Sequence, residues 1–529
     1  MGKTLYYGGT VLTLNDDNNY AEALLTENGT IAAVGDLRDI EKSAGICRKV
    51  DLGGRCLMPS FIDGHSHLQS VGAAFSRCDL TDCTSHGELL ERIRKFRSER
   101  DLTHGEVITC RGYDQTRLKE QTHPDARLLD TLGFDNPIVC IHQSGHMAGY
   151  NTAAMQACGI DDSFVCPEGG YAARDEQGHL TGYFEEKARN PLSAVLSKFD
   201  PDRYKQAILD AQDYYLSYGI TTVQDGSGTG QRGLDCYIEL ARAGKLKVDV
   251  VLYIWSDPDT PDYWQRAIAA TKDMPRLKIG GIKIMLDGSP QARTAWMRKP
   301  YEGEESYCAY PTMTDDKLER ILNNAAAAGM QPIAHCNGDA ACEQFLSAWE
   351  KLTACKPDAC RLRPVMVHAQ TVGYDQLERM ARVGMMPSFF VGHCWYWGDV
   401  HIKNFGERGY RISPVGTALA NGLVVNLHQD SPVTPPDMLH SVWCAVNRIT
   451  QNGVQLSEND KISTLDALKA ATFGGAYSYF EEDRKGRLQE GFKADLLVLD
   501  RDPLTTPKEL LREIKVLEVI KDGESVYKA

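Results

Sequence analysis

No stretch of this chain approaches the run of about 20 apolar residues that a membrane-spanning helix needs, so no membrane partner is expected. Basic residues are in deficit, 58 against 72 acidic ones, and the net charge of −14 is the opposite of a nucleic-acid-binding footprint. Sixteen cysteines are scattered without a single Cys-x-x-Cys pair, which argues against a structural thiolate zinc site. Internal repeats and low-complexity tracts are absent, which excludes solenoids. The opening MGKTLYYGGTV has no apolar signal core, and Tyr6 stands where a myristoylation signal wants Ser or Thr. With the scattered thiols, that gives the expectation of a reducing, cytoplasmic setting.

What the chain does have is a soluble composition, 42% hydrophobic and 25% charged, over 529 residues, enough for about two to four structural units. Its most informative stretch is Met58-Pro59-Ser60-Phe61-Ile62-Asp63-Gly64-His65-Ser66-His67. Residues two apart on an extended strand point the same way, so both imidazoles can face one cation. Neutral imidazole is a good ligand for zinc and its neighbours.

Short β-type runs crowd both ends: Thr4 to Tyr7, Thr10 to Leu14, Ala23 to Thr26 and Ile31 to Val34 at the start. Gly486-Arg487-Leu488, Ala494 to Leu499, Ile514 to Lys521 and Val526-Tyr527 follow at the finish. The two ends are expected to pair into one small β-sandwich, 1–57 with 484–529. Between them, apolar runs alternate with helix-like segments. The runs are MPSFID, Ile220–Asp225, Val248–Trp255, Gly281–Leu286, Gln331–Cys336, Pro364–Ala369, Met385–Phe390 and Leu423–Asp430. Eight strands are what an α/β fold of the (β/α)8, TIM-like barrel type requires, spanning 58–483. The stretch 69–201 does not fit that count and reads as a large insertion after the first barrel strand.

Polar side chains fall at the C-terminal ends of these strands. His65 and His67 close the first, Lys283 lies in the fourth, His335 and His368 end the fifth and sixth, and Asp430 ends the eighth. Active sites of such barrels assemble at that face. Six residues of this type on five strands point to a metal centre.

This order resembles the amidohydrolase superfamily, and more narrowly the YtcJ-like branch of amidohydrolase family 3, which includes N-substituted formamide deformylase. The matching stretches run the length of the chain: MPSFIDGHSH, RGYDQT, SGHMAGYNTAAM, IKIMLDGSPQARTA, HCNGDAA, VHAQ, HQDSPVTPPDML, ALKAATFGGAY and GRLQEGFKADLLVLDRDP. The sequence departs from the common pattern at Val367, where Glu is usual, at Leu427-His428-Gln429-Asp430, where Gly-Ser-Asp is usual, and at Ser289-Pro290-Gln291.

The resemblance implies one or two divalent ions, zinc foremost, held by His65, His67 and Asp430 on one side and by His335 and His368 on the other. It implies a carboxylated Lys283 bridging them, the alternative being a free lysine paired with Asp430 or Asp287 beside one ion. Asp430 would accept a proton from the attacking water and deliver it to the leaving amine. His393 is the candidate for stabilising the developing oxyanion. His146, Tyr113 with Asp114, Arg293 and the aromatic run Trp395-Tyr396-Trp397 are candidate substrate contacts. Each of these also has a structural reading, and Arg293 and Asp287 suit bracing of the loop after the fourth strand. Cys336 and Cys394 suit packing.

The expected function is metal-dependent hydrolysis of a carboxamide-type C–N bond, an N-formyl or N-acyl amine, in a small molecule. Cyclic amides and lactones admit the same attack. A deaminase of the superfamily is disfavoured because His335-Cys336-Asn337-Gly338-Asp339 lacks the Glu such enzymes place there. A non-catalytic binding or regulatory protein on the same scaffold is the reading from another class. The resemblance implies a homodimer.

Overall fold

A computed structural model describes residues 2–100, 102–103, 105–144, 146–196, 199–257 and 261–529. The chain divides into two compact units, Met1–Val71 with Ile208–Ala529, and Gly72–Ala207. Among the described residues no helix is long and apolar enough to cross a membrane.

The first unit is organised around an eight-stranded parallel sheet whose strands follow chain order. They are β1 (Phe61–Ile62), β2 (Ile220–Thr229), β3 (Asp249–Trp255), β4 (Leu277–Met285), β5 (Gln331–Cys336), β6 (Val365–His368), β7 (Met386–Phe389) and β8 (Asn426–Leu427). Helices such as Gln231–Arg242, Pro261–Thr271, Asp315–Ala328 and Asp339–Cys355 separate successive strands. Strands that are apolar on both faces need cover on both, and this alternation supplies it. Asp315–Ala328 shows how sequence sets the boundaries. The Thr314 side chain accepts from the Lys317 N–H at its start, and Gly329, at φ 67°, ends it in the left-handed conformation that glycine tolerates.

One face of the sheet closes over Ile62, Val251, Tyr253, Ile333, Val365 and Val367, plugged by Tyr479 from the segment after Phe473–Ser478. The two edge strands approach each other. A methyl group on Gly64 would lie 2.3 Å from Asn426 Oδ1, and the His67 N–H donates to the Ser431 carbonyl at 2.9 Å.

Two sheets flank this body. Lys3–Tyr7, Ala23–Glu27, Thr30–Gly35 and Arg48–Asp51 form the smaller. The six-stranded one mixes the chain ends, in the order Glu524–Lys528, Val516–Lys521, Leu496–Leu499, Cys56–Pro59, Thr10–Leu12, Tyr20–Ala21. Tyr6, Leu24 and Ile31 from one sheet share an apolar core with Val11, Leu57 and Leu496 from the other.

Two expected strands differ. The run MPSFID is divided: Cys56–Pro59 pairs with Leu496–Leu499, and only Phe61–Ile62 joins the eight-stranded sheet. The hand-over is at Ser60, whose N–H donates to Asp495 while that of Phe61 donates to Gly219. Gly486-Arg487-Leu488 is not a strand. Gly486 turns at φ 86° against Phe473, leaving no extended run to pair.

A buried ion network ties the C-terminal strands to the start of β3. Lys485 bonds Asp249 and Glu481, and Lys521 bonds Asp249 and Asp495, each at 2.6–2.7 Å. Burial pushes the Glu481 carboxyl up, but Lys485 and Lys278 outweigh it and bring it to about 2. A carboxylate depressed in the folded state stabilises above its unfolded pKa, here near 4.5, and loses that contribution as the pH falls toward 2. Thermal stability is therefore expected to fall steeply over that window, and Glu481→Gln to flatten the fall, as scanning calorimetry at stepped pH will register.

The second unit carries its own six-stranded sheet, ordered Gly170–Arg174, Leu180–Glu186, Met147–Tyr150, Ile138–His142, Ile108–Tyr113, Cys78–Asp79. Leu89 and Ile93 of helix His86–Glu99 pack on Cys78, Ile108 and Ile138 from that sheet.

Candidate metal centre

The C-terminal ends of β1, β4, β5 and β6, with the segment after β8, converge on one buried cluster. His65 and His67 lie in the bend that follows β1 and not on an extended strand as the pattern suggested, with their rings 5.1 Å apart. Asp430 follows from β8 and meets His67 Nε2 at 2.9 Å and His65 Nε2 at 3.5 Å. Lys283 Nζ lies 3.1 Å from the same His65 nitrogen. On the other side the His335 and His368 rings are 4.6 Å apart, and His368 Nε2 is 4.0 Å from Asp430 Oδ2.

Alternation alone would aim His368 away from this cluster, because Val365 and Val367 already face inward. The chain corrects this with left-handed backbone at His368 (φ 70°) and Ala369 (φ 46°), and Asp430 is turned similarly at φ 55°. Three non-glycine residues in that sparsely populated region are local strain, which packed surroundings must hold in place.

Neighbouring groups orient the rings of His65 and His335. Gln224 donates its amide to the Gly64 carbonyl and the Tyr479 hydroxyl, both at 3.1 Å, so its Oε1 accepts from His65 Nδ1–H. His65 Nε2 is left bare toward Lys283 and Asp430. Asp287 receives the N–H groups of Asn337, Gly338 and Trp296 and lies 3.0 Å from His335 Nδ1, while the Asn337 side-chain amide stands 3.2 Å from His335 Nε2. Carboxylate or carbonyl oxygens behind an imidazole are the usual way of orienting a metal ligand.

The protonation states suit ligation. Burial pulls His65 and His368 well below the usual histidine value, with nearby Lys283 and the other imidazoles adding to it, so both are neutral at pH 7. Lys283 is brought down to about 8 by burial, against the opposing pull of Asp430. Burial pushes Asp430 up, but its bond to His67 and the nearby His67 and Lys283 outweigh that and hold it below its ordinary value.

Among the described residues, His65, His67 and Asp430 form a group whose ligand atoms all lie within 4.8 Å of one another. His67 Nδ1 and His368 Nδ1 are buried without a protein partner, a condition that costs free energy unless something polar meets them. Nitrogen and carboxylate donors in this arrangement fit a divalent cation.

The remaining candidates divide. His393, buried, stacks near Phe390 and sits 6.3 Å from the His368 ring, with Trp397 at 5.3 Å on its other side. Trp395 takes its packing reading: it turns onto Trp443, at 5.1 Å, and under the Arg512 guanidinium. Arg293 also takes the structural one, bonding the Glu302 carbonyl and pairing with Glu304 over the Tyr301 ring. His146 and Tyr113 belong to the second unit. There His146 is exposed and paired with Glu186 at 3.0 Å, whereas Tyr113 is buried with its hydroxyl on His123.

Sequence reasoning missed two side chains. Gln224 lies one residue before Asp225 in an unremarkable apolar run, and nothing there signals its hold on His65. His428 was visible only as a departure from Gly. It alternates with Asn426 and Asp430, is fully buried, and stands 5.3 Å from His65 and 5.2 Å from His368. Burial takes it to about 3, so it too is neutral.

Space around these rings is tight. A methyl group on Gly226 would sit 2.5 Å from His65 Cε1 and 2.3 Å from Gln224 Oε1. Gly226→Ala is expected to cost about 1–3 kcal/mol by overpacking and to lower bound metal. Melting temperature together with elemental analysis of metal per chain checks both.

Comparison with known proteins agrees with this geometry. Residues 48–527 match the Amidohydrolase family. The chain is 26% identical to YtcJ of Bacillus subtilis (strain 168), over 99% of each chain. It is 27% identical to N-substituted formamide deformylase of Arthrobacter pascens, over 100% of this chain and 98% of that one. An uncharacterized metal-dependent hydrolase from Pyrococcus furiosus superposes with a TM-score of 0.79 at 27% identity, covering 95% of this chain and 100% of the other. The chain belongs to the amidohydrolase family and is a hydrolase of carbon–nitrogen bonds.

Proposed function

We propose that this protein is a metal-dependent amidohydrolase that releases an amine from an N-formyl or N-acyl group of a small molecule, on a (β/α)8 barrel. The observation that carries the reading is the convergence of His65, His67 and Asp430 within 4.8 Å, with Lys283 at 3.1 Å from His65. The 27% identity to a formamide deformylase along the whole chain supports the bond type.

His65, His67 and Asp430 would hold one ion, and His335 and His368 a second, with Lys283 carboxylated between them. A bound divalent ion lowers the pKa of water toward about 7 and polarises a carbonyl oxygen. The chain's own residues do the rest. Asp430, ionised at neutral pH, accepts the proton that water sheds as its oxygen bonds to the acyl carbon. The same carboxyl then gives that proton to nitrogen as the C–N bond breaks, so amide and water become carboxylic acid and amine. His393, whose ring lies 6.3 Å from that of His368, would donate an N–H toward the developing oxyanion. Burial of the cluster strengthens each of these interactions relative to water.

Chelation tests this reading. Dialysis against a picolinate-type chelator is expected to abolish hydrolysis of N-formylaniline, and zinc, manganese or cobalt to restore it. Full turnover by protein shown to be metal-free would rule the reading out.

A further inference from the structure

A side chain that follows the inward alternation of a barrel strand yet stands open to solvent at the strand's C-terminal end lies on the face where such folds assemble their sites. Trp255 is such a residue. Along β3, Val251 and Tyr253 face the inner core and are almost fully buried, and Trp255 continues that alternation. It is nevertheless 47% exposed. Its register partner on β4 is Lys283, so the indole stands beside the lysine of the metal cluster, one strand over. In parallel strands, register partners share a face.

The indole is also held in place. Its ring lies so close over Gly228 that a methyl group there would approach Trp255 Cε3 to 2.3 Å. That glycine has φ 80°, in the extension of β2, so both its backbone and its missing side chain suit the ring. The Trp255 carbonyl accepts the indole N–H of Trp264, itself fully buried in helix Pro261–Thr271. Val433 is 50% exposed in the turn that follows Asp430, its N–H donating to the Asp430 carbonyl at 2.9 Å. Lys283 and Asp430 are thus each accompanied by an exposed apolar neighbour.

We propose that Trp255 is a specificity-determining residue whose indole covers an uncharged, apolar substituent of the amide, with Val433 beside Asp430 as a second apolar contact. The inference rests on the amide-hydrolase reading and narrows it: the preferred substrates are N-acyl amines bearing a bulky aryl or alicyclic group. A flat indole face gains by excluding water from apolar surface and offers no partner to a carboxylate. Asp430, which the reaction needs ionised, further disfavours an acidic substituent nearby.

The test measures binding and turnover separately. Affinities of N-methylformamide and N-cyclohexylformamide are determined by calorimetry on metal-loaded Asp430→Asn protein, with and without Trp255→Ala. Rates are measured on the corresponding proteins that keep Asp430. With Trp255 present, the cyclohexyl compound is expected to bind about 10- to 50-fold more tightly than the methyl one, the range that burial of one such ring supports. Trp255→Ala should reduce that preference to about threefold or less and raise KM for the cyclohexyl substrate more than it lowers kcat. Trp255→Phe should recover most of the preference, and Ile268→Ala, at an exposed apolar position on helix Pro261–Thr271, should leave it intact. Metal content and circular dichroism confirm that each variant is folded. A preference equally large in Trp255→Ala overturns the inference, even if hydrolysis is confirmed. Preference lost in Trp255→Ala without hydrolysis by any protein upholds the inference and overturns the reaction instead.

Discussion

Asp430→Asn is expected to lower kcat by about 10³-fold or more while leaving the fold intact. Asparagine keeps the shape of the side chain and its contact with His67, at 2.9 Å in the native protein, but carries no charge and accepts no proton. The aspartate is held ionised chiefly by its bond to His67, against its burial, so at neutral pH the wild-type group is ready to act as a base. Two losses therefore coincide, an anionic ligand and a proton carrier. Steady-state kinetics on an N-formyl amine, with metal content measured on the same sample, separate them. If the variant binds metal normally yet turns over at the wild-type rate, Asp430 is not the proton carrier.

Removal of Lys283 should be as damaging, for a different reason. Lys283→Met is expected to lower metal occupancy and to reduce kcat by about 10³-fold. The side chain is buried among imidazoles, 3.1 Å from His65 Nε2, where an ammonium would repel a cation rather than hold it. Burial takes the amine down to about 8, so about a tenth is uncharged at pH 7, far more than for an exposed lysine, and only the uncharged amine adds carbon dioxide. The carbamate so formed is an anion that can bridge two ions. Labelled bicarbonate should therefore give a carbamate signal by carbon-13 NMR in wild-type protein and none in Lys283→Met, and propionate should restore part of the activity of Lys283→Ala. Normal metal content and activity in carbonate-free buffer would exclude the carbamate.

Much of the scaffold could be read from the chain because its strands are short apolar runs separated by helical patterns. Each of the eight expected runs contains a strand of the parallel sheet, in the expected order. Boundaries were less legible. The first run serves two sheets, and the change at Ser60 rests on bonds to Asp495 and Gly219, which are remote in sequence. The last strand is only Asn426–Leu427, and the backbone turns into the left-handed region at Asp430.

The cluster itself was legible for the same reason as the scaffold: strand ends bring distant residues to one face. The side chains that hold the cluster's histidines were not. Gln224 acts through bonds to Gly64 and Tyr479, more than 150 residues away in each case, and no local pattern encodes that. The aromatic run at 395–397 left pocket lining and loop packing equally open, because successive residues of a helical turn point in different directions: Trp397 reaches His393 while Trp395 packs on Trp443.

The central claim is that water cleaves a carboxamide C–N bond at this cluster. Mass-spectrometric detection of amine release from a mixed panel of N-formyl, N-acetyl and cyclic amides tests it most directly, comparing zinc-loaded wild type with Asp430→Ala. The account predicts release of free amine from at least one N-acyl member by the wild type, at a rate cut at least about 10³-fold in the variant. Release that proceeds equally in Asp430→Ala, or none from metal-replete wild type across the panel, would contradict it.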